Sequence, residues 1–267
     1  MNKIENALFE LGQMDALASG DSPVHRLHPL AKLTVTAAFI LVTVSFHKYD
    51  LTGLTAMVLF PVIAFQMSGI PVRTCFYKLR IVLPLVLAVG IFNPFFDRAP
   101  VLSPGSVVLT GGMLSMLTLM LKGILCLMAS FLLVSTTSID ALCAALRKLH
   151  VPSMLVTLFL LTFRYVGLMT EEVAVMTDAY HLRAPGQKGI HYTAWGSFLG
   201  QLLLRSMDRA QELYSGMMLR GFTGEFFYAD TKPFRAGDSV WLLGWLAAFL
   251  FLRCIPVAQL LGGLVVR

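Results

Sequence analysis

The sequence predicts an all-α integral membrane protein of about five transmembrane helices, with a cytoplasmic domain of three further helices between the fourth and the fifth. Three observations carry this expectation. First, 57% of the residues are hydrophobic and only 13% charged, where a soluble domain carries about a quarter, and mean hydropathy is +0.74. Second, apolar runs of spanning length recur through 30–134 and return at 239–255. Third, the intervening stretch is amphipathic and carries charges of both signs. The expected division is therefore 1–134 for the N-terminal segment and helices one to four, 135–237 for the cytoplasmic domain, and 238–267 for the last span and tail.

Taken in order, residues 1–26 are mixed and polar, and Leu27-His-Pro-Leu-Ala-Lys32 leads into the first run, Leu30–Phe46. No secretory signal pattern is read there, because acidic residues precede the first apolar run. His47–Asp50 is a short loop. The second run, Leu51–Gly69, contains Pro61, which membrane helices tolerate. Pro71–Arg80 is basic and aromatic and reads as an interfacial segment. The third run, Ile81–Phe96, holds Pro84 and Asn93-Pro94, which predict a kink near its end. A Pro/Gly-rich loop over about 97–112 leads to the fourth run, Met113–Val134, interrupted only by Lys122. Ser239–Ile255 is the fifth, with Trp241 and Trp245 as an interfacial belt.

Basic residues set the orientation. Lys3, Arg26 and Lys32 precede the first span, and Arg73, Lys78 and Arg80 follow the second. The opposite loops hold Lys48 and Arg98. The excess places the N-terminus in the cytoplasm. Thr136-Thr137-Ser138 before Asp140 then opens a short amphipathic helix with Ile139, Leu142, Leu146 and Leu149 on one face. Pro152 suits the first turn of a much longer helix running to Arg183, roughly 45 Å at about 1.5 Å per residue. Trp195–Gly221 forms the third. Val151–Thr170 is apolar enough to span, but Arg164 lies well inside it, and the next apolar stretch is too short to return the chain. The expectation is three helices lying against the membrane.

Within this domain a pattern repeats. Asp178-Ala-Tyr-His-Leu-Arg-Ala184 is echoed by Ser215-Gly-Met-Met-Leu-Arg-Gly221. Pro185-Gly186 follows the first copy, while Gly221 and Gly224 close the second; both are helix-stop signals. Arg183 and Arg220 thus sit at C-terminal helix tips, where a cation complements the helix dipole and a small neighbour, Ala184 or Gly221, permits close approach. With Leu182 and Leu219 beside them, they read as two prongs of a docking device. Arg164, Glu171, Glu172, Arg205, Asp208 and Arg209 read as helix-surface charges, with Arg205–Asp208 and Asp208–Glu212 at pairing distance.

Enzymatic chemistry is not legible. The chain has no phosphate-loop motif, no HExxH, no GxSxG and no paired Cys/His cluster. Cys75, Cys126, Cys143 and Cys254 lack CxxC spacing and read as small apolar residues. His25 and His28, flanked by Pro23 and Pro29, suit a boundary loop better than half a metal site. No cofactor and no nucleic acid is expected. Lys122 reads as snorkelling or as captured by backbone carbonyls near Gly123, and the alternative function, a stand-alone permease or channel, would place it in the pathway.

Several segments together resemble a known family. Ser135-Thr-Thr through Leu149-His-Val-Pro152, Leu161-Thr-Phe-Arg-Tyr165 with Glu171-Glu172, and Leu182-Arg-Ala184 look like the core of energy-coupling-factor transmembrane proteins. Leu204–Ala210 with Met218-Leu-Arg-Gly-Phe-Thr-Gly224, and the lead-in Pro23–Leu33, resemble the cobalt/nickel branch usually called CbiQ. That lead-in more often has Asp where this chain has His28, and the first tip is Leu-Arg-Ala rather than the commoner Ala-Arg-Gly. The resemblance implies a non-catalytic scaffold in a bacterial or archaeal cell membrane. It would join two cytosolic ABC-type ATPases to a small CbiM-like substrate-binding membrane subunit. The 135–237 helices would be its coupling helices, and Arg183 and Arg220 would sit in grooves on the ATPases. Cobalt or nickel ions are the implied cargo.

Overall fold

The computed structural model describes residues 17–48, 50–92, 100–102, 109–187, 189–224 and 234–254. Its elements are α1 (Pro23–Arg26), α2 (Pro29–Ser45), α3 (Leu51–Ala56), α4 (Leu59–Ser68), α5 (Val72–Ile91), β1 (Pro100–Leu102), β2 (Leu109–Thr110), α6 (Gly111–Thr136), α7 (Ile139–Lys148), α8 (Ser153–Arg183), α9 (Trp195–Leu219) and α10 (Ala236–Cys254). They fall into two compact units. One comprises the described residues of 18–138 and 232–267, the other those of 1–17 and 139–231.

Among the described residues, four helical stretches are long and apolar enough to cross a membrane: Leu51–Ser68, Gly111–Thr136, Ser153–Arg183 and Ala236–Cys254. Pro29–Ser45 and Val82–Ile91 are shorter apolar helices. The chain is an all-α multi-pass membrane protein, with one two-stranded antiparallel ribbon, β1–β2, inside the expected Pro/Gly-rich loop. Ser153–Arg183, expected outside the bilayer, also meets the length and apolarity of a span. The Asn93-Pro94 kink, Lys3, Arg98 and the tail after Cys254 lie outside the described residues.

Two local expectations are corrected. Pro71–Arg80 is no separate interfacial segment, because Val72 onward belongs to one continuous helix ending at Ile91, with Pro84 inside. The second run is two helices separated at Met57–Val58. Pro61 is the physical cause, since it has no N–H for the Met57 carbonyl and its ring crowds that turn. Trp245 packs edge-on against Phe60, at 4.8 Å between ring centroids, and Trp241 edge-on against Trp245, so both rings also make contacts inside the unit.

In the 18–138/232–267 unit, α6 is the hub against which α2, α3, α4 and α5 pack, and α10 lies on α2. The core is aromatic. Phe39 of α2, Phe60 of α4 and Phe249 of α10 meet within 4.7–5.4 Å centroid to centroid. Lipid is as apolar as these side chains, so burial drives little association there. Packing contacts and polar ties hold such helices together instead.

The polar ties lie at helix ends. Buried Lys32, in the first turn of α2, donates from Nζ to the Thr136 carbonyl at the end of α6, at 2.6 Å. His25 Nε2 lies 3.3 Å from the Ser135 carbonyl, so that nitrogen carries the proton, and Nδ1 is left to meet Ser22 Oγ at 2.7 Å. The favour is returned at the other end of the same helix pair. Lys122 of α6 donates to the carbonyls of Val44 (3.1 Å) and Phe46 (2.5 Å), where α2 stops. Two antiparallel helices thus each lend a lysine to the other's unsatisfied C-terminal carbonyls, where a cation also opposes the negative end of the dipole. The carbonyls that capture Lys122 are those at the end of α2.

The first and last helices are joined by a buried carboxylate. Asp238 Oδ1 accepts the His28 backbone N–H at 2.9 Å, and Oδ2 accepts the Arg235 N–H at 2.8 Å. The second bond is the return half of a capping box for α10. The His28 side chain caps α2, with Nδ1 accepting the Leu30 N–H at 3.1 Å. Here the imidazole takes the capping role that Asp, Asn or Ser more often fills at an N-cap. His25 and His28 are thus helix-end hydrogen-bonding groups.

Candidate functional site

The residues singled out from the repeat lie in the 139–231 unit. There α7 and α8 pack together, and α9 meets α8. The turn from α7 to α8 is closed by His150, whose φ of 62° is left-handed. The Val151 N–H bonds the Leu146 carbonyl and the His150 N–H bonds the Arg147 carbonyl, a Schellman ending with His where glycine is usual. Pro152 is the N-cap of α8 rather than its first helical residue. Cys143 of α7 is buried, and burial, then the Asp140 carboxylate, pushes its thiol up and away from the reactive thiolate.

Helix α8 is one unbroken rod of 31 residues, about 46 Å long. Only Val156 and Thr177 are buried in it. Met154, Leu158, Phe159, Val166 and Val175 are exposed. Soluble monomers rarely expose so continuous an apolar surface, so lipid or protein must cover it.

Both arginines are exposed at helix C-termini, and the leucine before each is more exposed still: Leu182 at 84% and Leu219 at 90%. A leucine presented this way gains nothing within the chain. The two tips end differently, however. Arg183 is the last residue of α8, and Ala184 caps it by donating its N–H to the Tyr180 carbonyl at 3.0 Å. The Tyr180 hydroxyl then donates to Gln187 Oε1 at 2.9 Å and accepts the His191 N–H at 3.2 Å, which ties down the loop beyond the tip. Arg220 is itself the C-cap of α9. Gly221 follows at φ 80°, with the Phe222 N–H on the Met217 carbonyl and the Gly221 N–H on the Met218 carbonyl, a Schellman motif.

The supporting charges differ from expectation. Arg205 pairs with Glu172, joining α9 to α8, and not with Asp208. Arg209 lies 3.5 Å from Glu212 in its own helix. Asp208 and Glu212 are both acidic and repel rather than pair. The Arg205–Glu172 contact stands eleven residues before Arg183 and fifteen before Arg220, so the tips project about 17 and 22 Å along their helices beyond it. Arg164 and Glu171 are exposed on α8. Among the described residues, no group of three or more His, Cys, Asp or Glu side chains is placed to hold a metal ion.

Tyr180, His150, Asp238 and the Lys32 cap were missed by sequence reading. Only Tyr180 had a local signal, since it stands one helical turn before Ala184, where a side chain can reach over the cap.

Comparison with known proteins identifies the family. The family described as "CbiQ: Cobalt transport protein" matches residues 20–229. The cobalt transport protein CbiQ of Rhodobacter capsulatus is 36% identical over 104 residues, covering 38% of this chain and 42% of that protein. The nickel permease LarQ of Lactiplantibacillus plantarum is 31% identical over 91 residues, 34% and 33% of the two chains. The energy-coupling factor transporter transmembrane protein EcfT of Bacillus selenitireducens is 27% identical over 263 residues, 91% and 96%. The matches thus span less than half of the first two relatives and nearly all of the third. With a match that begins just before the α1 lead-in and runs past the second arginine tip, this multi-pass membrane protein belongs to the CbiQ cobalt transport protein family.

Proposed function

We propose that the chain is the non-catalytic coupling subunit of an energy-coupling-factor importer, carrying cobalt or nickel ions inward at the expense of ATP hydrolysed by partner subunits. The observation that carries this reading is the pair of exposed Leu-Arg helix ends, Leu182-Arg183 and Leu219-Arg220. Each combines a cation at a helix C-terminus with an apolar side chain that has no use inside the chain. A groove with an acidic floor and an apolar wall would satisfy both. The proposed partners of these tips are two cytosolic ABC-type ATPases, one groove per tip, with Ala184 and Gly221 permitting close approach.

ATP-driven closure of the ATPase pair draws the two grooves together. The tips follow, α8 tilts, and a small substrate-binding membrane subunit seated on the apolar faces of 139–170 reorients in the bilayer. Met154, Met169 and Met176 supply adaptable packing on that surface. Arg205–Glu172 keeps the spread of the two tips defined, Pro152 starts the rod, and Arg164, Glu171, Asp208 and Arg209 are surface charges for partner contacts. The cargo assignment rests on the relatives named for cobalt and nickel. The N-terminus is placed in the cytoplasm with the tips.

The test is co-expression with the ATPase and substrate subunits, followed by pull-down and ATP-dependent uptake of radiolabelled cobalt and nickel. Arg183→Ala/Arg220→Ala should release the ATPases and abolish uptake. Normal association and uptake in that double variant would sink the proposal. Each single substitution removes one charge-assisted contact, about 1.5–3 kcal/mol, and should weaken assembly by about tenfold or more.

A further inference from the structure

We infer that the membrane face at which α2 ends carries a binding site for the phosphate of a net-anionic phospholipid, formed by Lys122 of α6 and Arg253 of α10. Two cations converge there on three consecutive carbonyls. Lys122 Nζ takes those of Val44 and Phe46, while Arg253 Nη2 takes that of Ser45 at 3.3 Å. The guanidinium also stands over the Phe46 ring, its Cζ 4.9 Å from the centroid. Arg253 is exposed and Lys122 half-buried.

Among the described residues, no carboxylate balances the charge at this point: neither cation has a carboxylate partner, and Asp50, in the loop beyond α2, pairs with neither. The end of the α2 dipole supplies about half a negative charge. Two adjacent cations in a region of low dielectric therefore leave a net positive site, which demands a counter-anion. Donors remain to hold one. Lys122 has one N–H beyond its two carbonyl contacts, and Arg253 uses one of its five.

Position decides what that anion is. Helix α2 has 17 residues, about 26 Å, somewhat less than the roughly 30 Å hydrocarbon core. Its C-terminus, where the chain turns back, marks the polar boundary of the bilayer. Lys122 reaches that same level, although it lies in the middle of α6. A phosphodiester of the surrounding leaflet lies at this depth. A choline headgroup would return a cation to the site, so the preferred lipid is one without such a compensating charge, such as phosphatidylglycerol.

The experiment is native mass spectrometry of the full chain released from nanodiscs of equal phosphatidylglycerol and phosphatidylcholine, for wild type, Arg253→Gln, Arg253→Lys and Lys122→Gln. Wild type should keep phosphatidylglycerol selectively. Arg253→Gln should hold it about fivefold more weakly, as loss of one interfacial cation implies, and Arg253→Lys should retain most of it. Arg253→Gln keeps the Lys122 cap, so its folding, checked by unfolding temperature in detergent, separates a lost site from a lost fold. Equal retention in wild type and both Gln variants, or equal retention of the two lipids by wild type, would overturn the inference. So would equal stabilisation of wild type by inorganic phosphate in lipid-free detergent, which would make the ligand a free anion.

Discussion

Asp238 joins two distant segments of the 18–138/232–267 unit through a single side chain. It is 5% exposed, and its two oxygens accept backbone N–H groups from opposite ends of the sequence, His28 and Arg235. In Asp238→Ala both amides lose their acceptor. Each buried unsatisfied donor costs about 1–3 kcal/mol. Both lie at helix N-termini, near the bilayer surface, where water can partly replace the carboxylate, so the lower half of the range applies, about 2–4 kcal/mol in all. For a unit of this size each kcal/mol moves Tm by about 2–4 °C, which gives a fall of roughly 5–15 °C. Asp238→Asn keeps one acceptor oxygen but turns an amide donor toward the other N–H, and should fall between wild type and alanine. The assay is thermal unfolding in nanodiscs, followed by tryptophan fluorescence, since Trp241 and Trp245 lie in the same helix. An alanine variant unfolding within about 2 °C of wild type, a shift too small for even one lost acceptor, would refute the reasoning. So would an asparagine variant less stable than the alanine one.

The two tips should not be equivalent. Tyr180→Phe removes two hydrogen bonds beyond Arg183, about 1 kcal/mol each. It should loosen the 184–191 loop in hydrogen exchange and lower uptake, while the Arg220 tip keeps its contact in crosslinking. Arg205→Glu sets like charges against Glu172 and should reduce ATPase association modestly, since such a part-exposed pair is worth about 0.5–1 kcal/mol. The reversed pair Arg205→Glu/Glu172→Arg should restore it in the same pull-down. His150→Gly relieves a left-handed residue that only glycine adopts without cost, and should raise the unfolding temperature of the 139–231 unit through about 1 kcal/mol of stabilisation. His28→Asn should hold the α2 cap within a few tenths of a kcal/mol, whereas His28→Leu should lose about 1 kcal/mol, compared by denaturant titration.

The helices of the 139–231 unit were legible because their signals are local. The apolar period, Pro152 and the Gly/Pro stops place α7, α8 and α9 within one or two residues of where they lie. The same signals predicted the arginine tips. What stayed hidden is non-local. Lys32 meets Thr136 across 104 residues of sequence, and Asp238 meets His28 across 210. No window of sequence contains both partners. The Arg205 partner was misread for a related reason, since spacing within α9 offers Asp208, whereas the contact is made across to α8. His150 escaped because its left-handed φ serves a helix ending that normally announces itself by glycine. Pro61 was seen but underweighted; a proline that membrane helices tolerate still removes one backbone bond, and here the helix breaks.

Lys122 bears on the alternative of a stand-alone permease. A permease with Lys122 in its pathway needs that ammonium in a polar route through the bundle. In the structure its Nζ is held by the end of α2, opposite Lys32 at the other end of the same antiparallel pair. The cavity beside α5 and α6 on this stretch is walled by Leu83, Val86, Met120, Ile124 and Leu127, all apolar. A second, toward the Lys32 end, is lined by Val24, Phe60, Leu132 and Trp241 together with Thr36, Lys32 and Thr136, the last two bonded to each other. A lysine committed to two carbonyls at the end of α2 is a fastening between two antiparallel helices. On the proposed coupling reading the moving part is α8, which exposes its apolar residues rather than burying them.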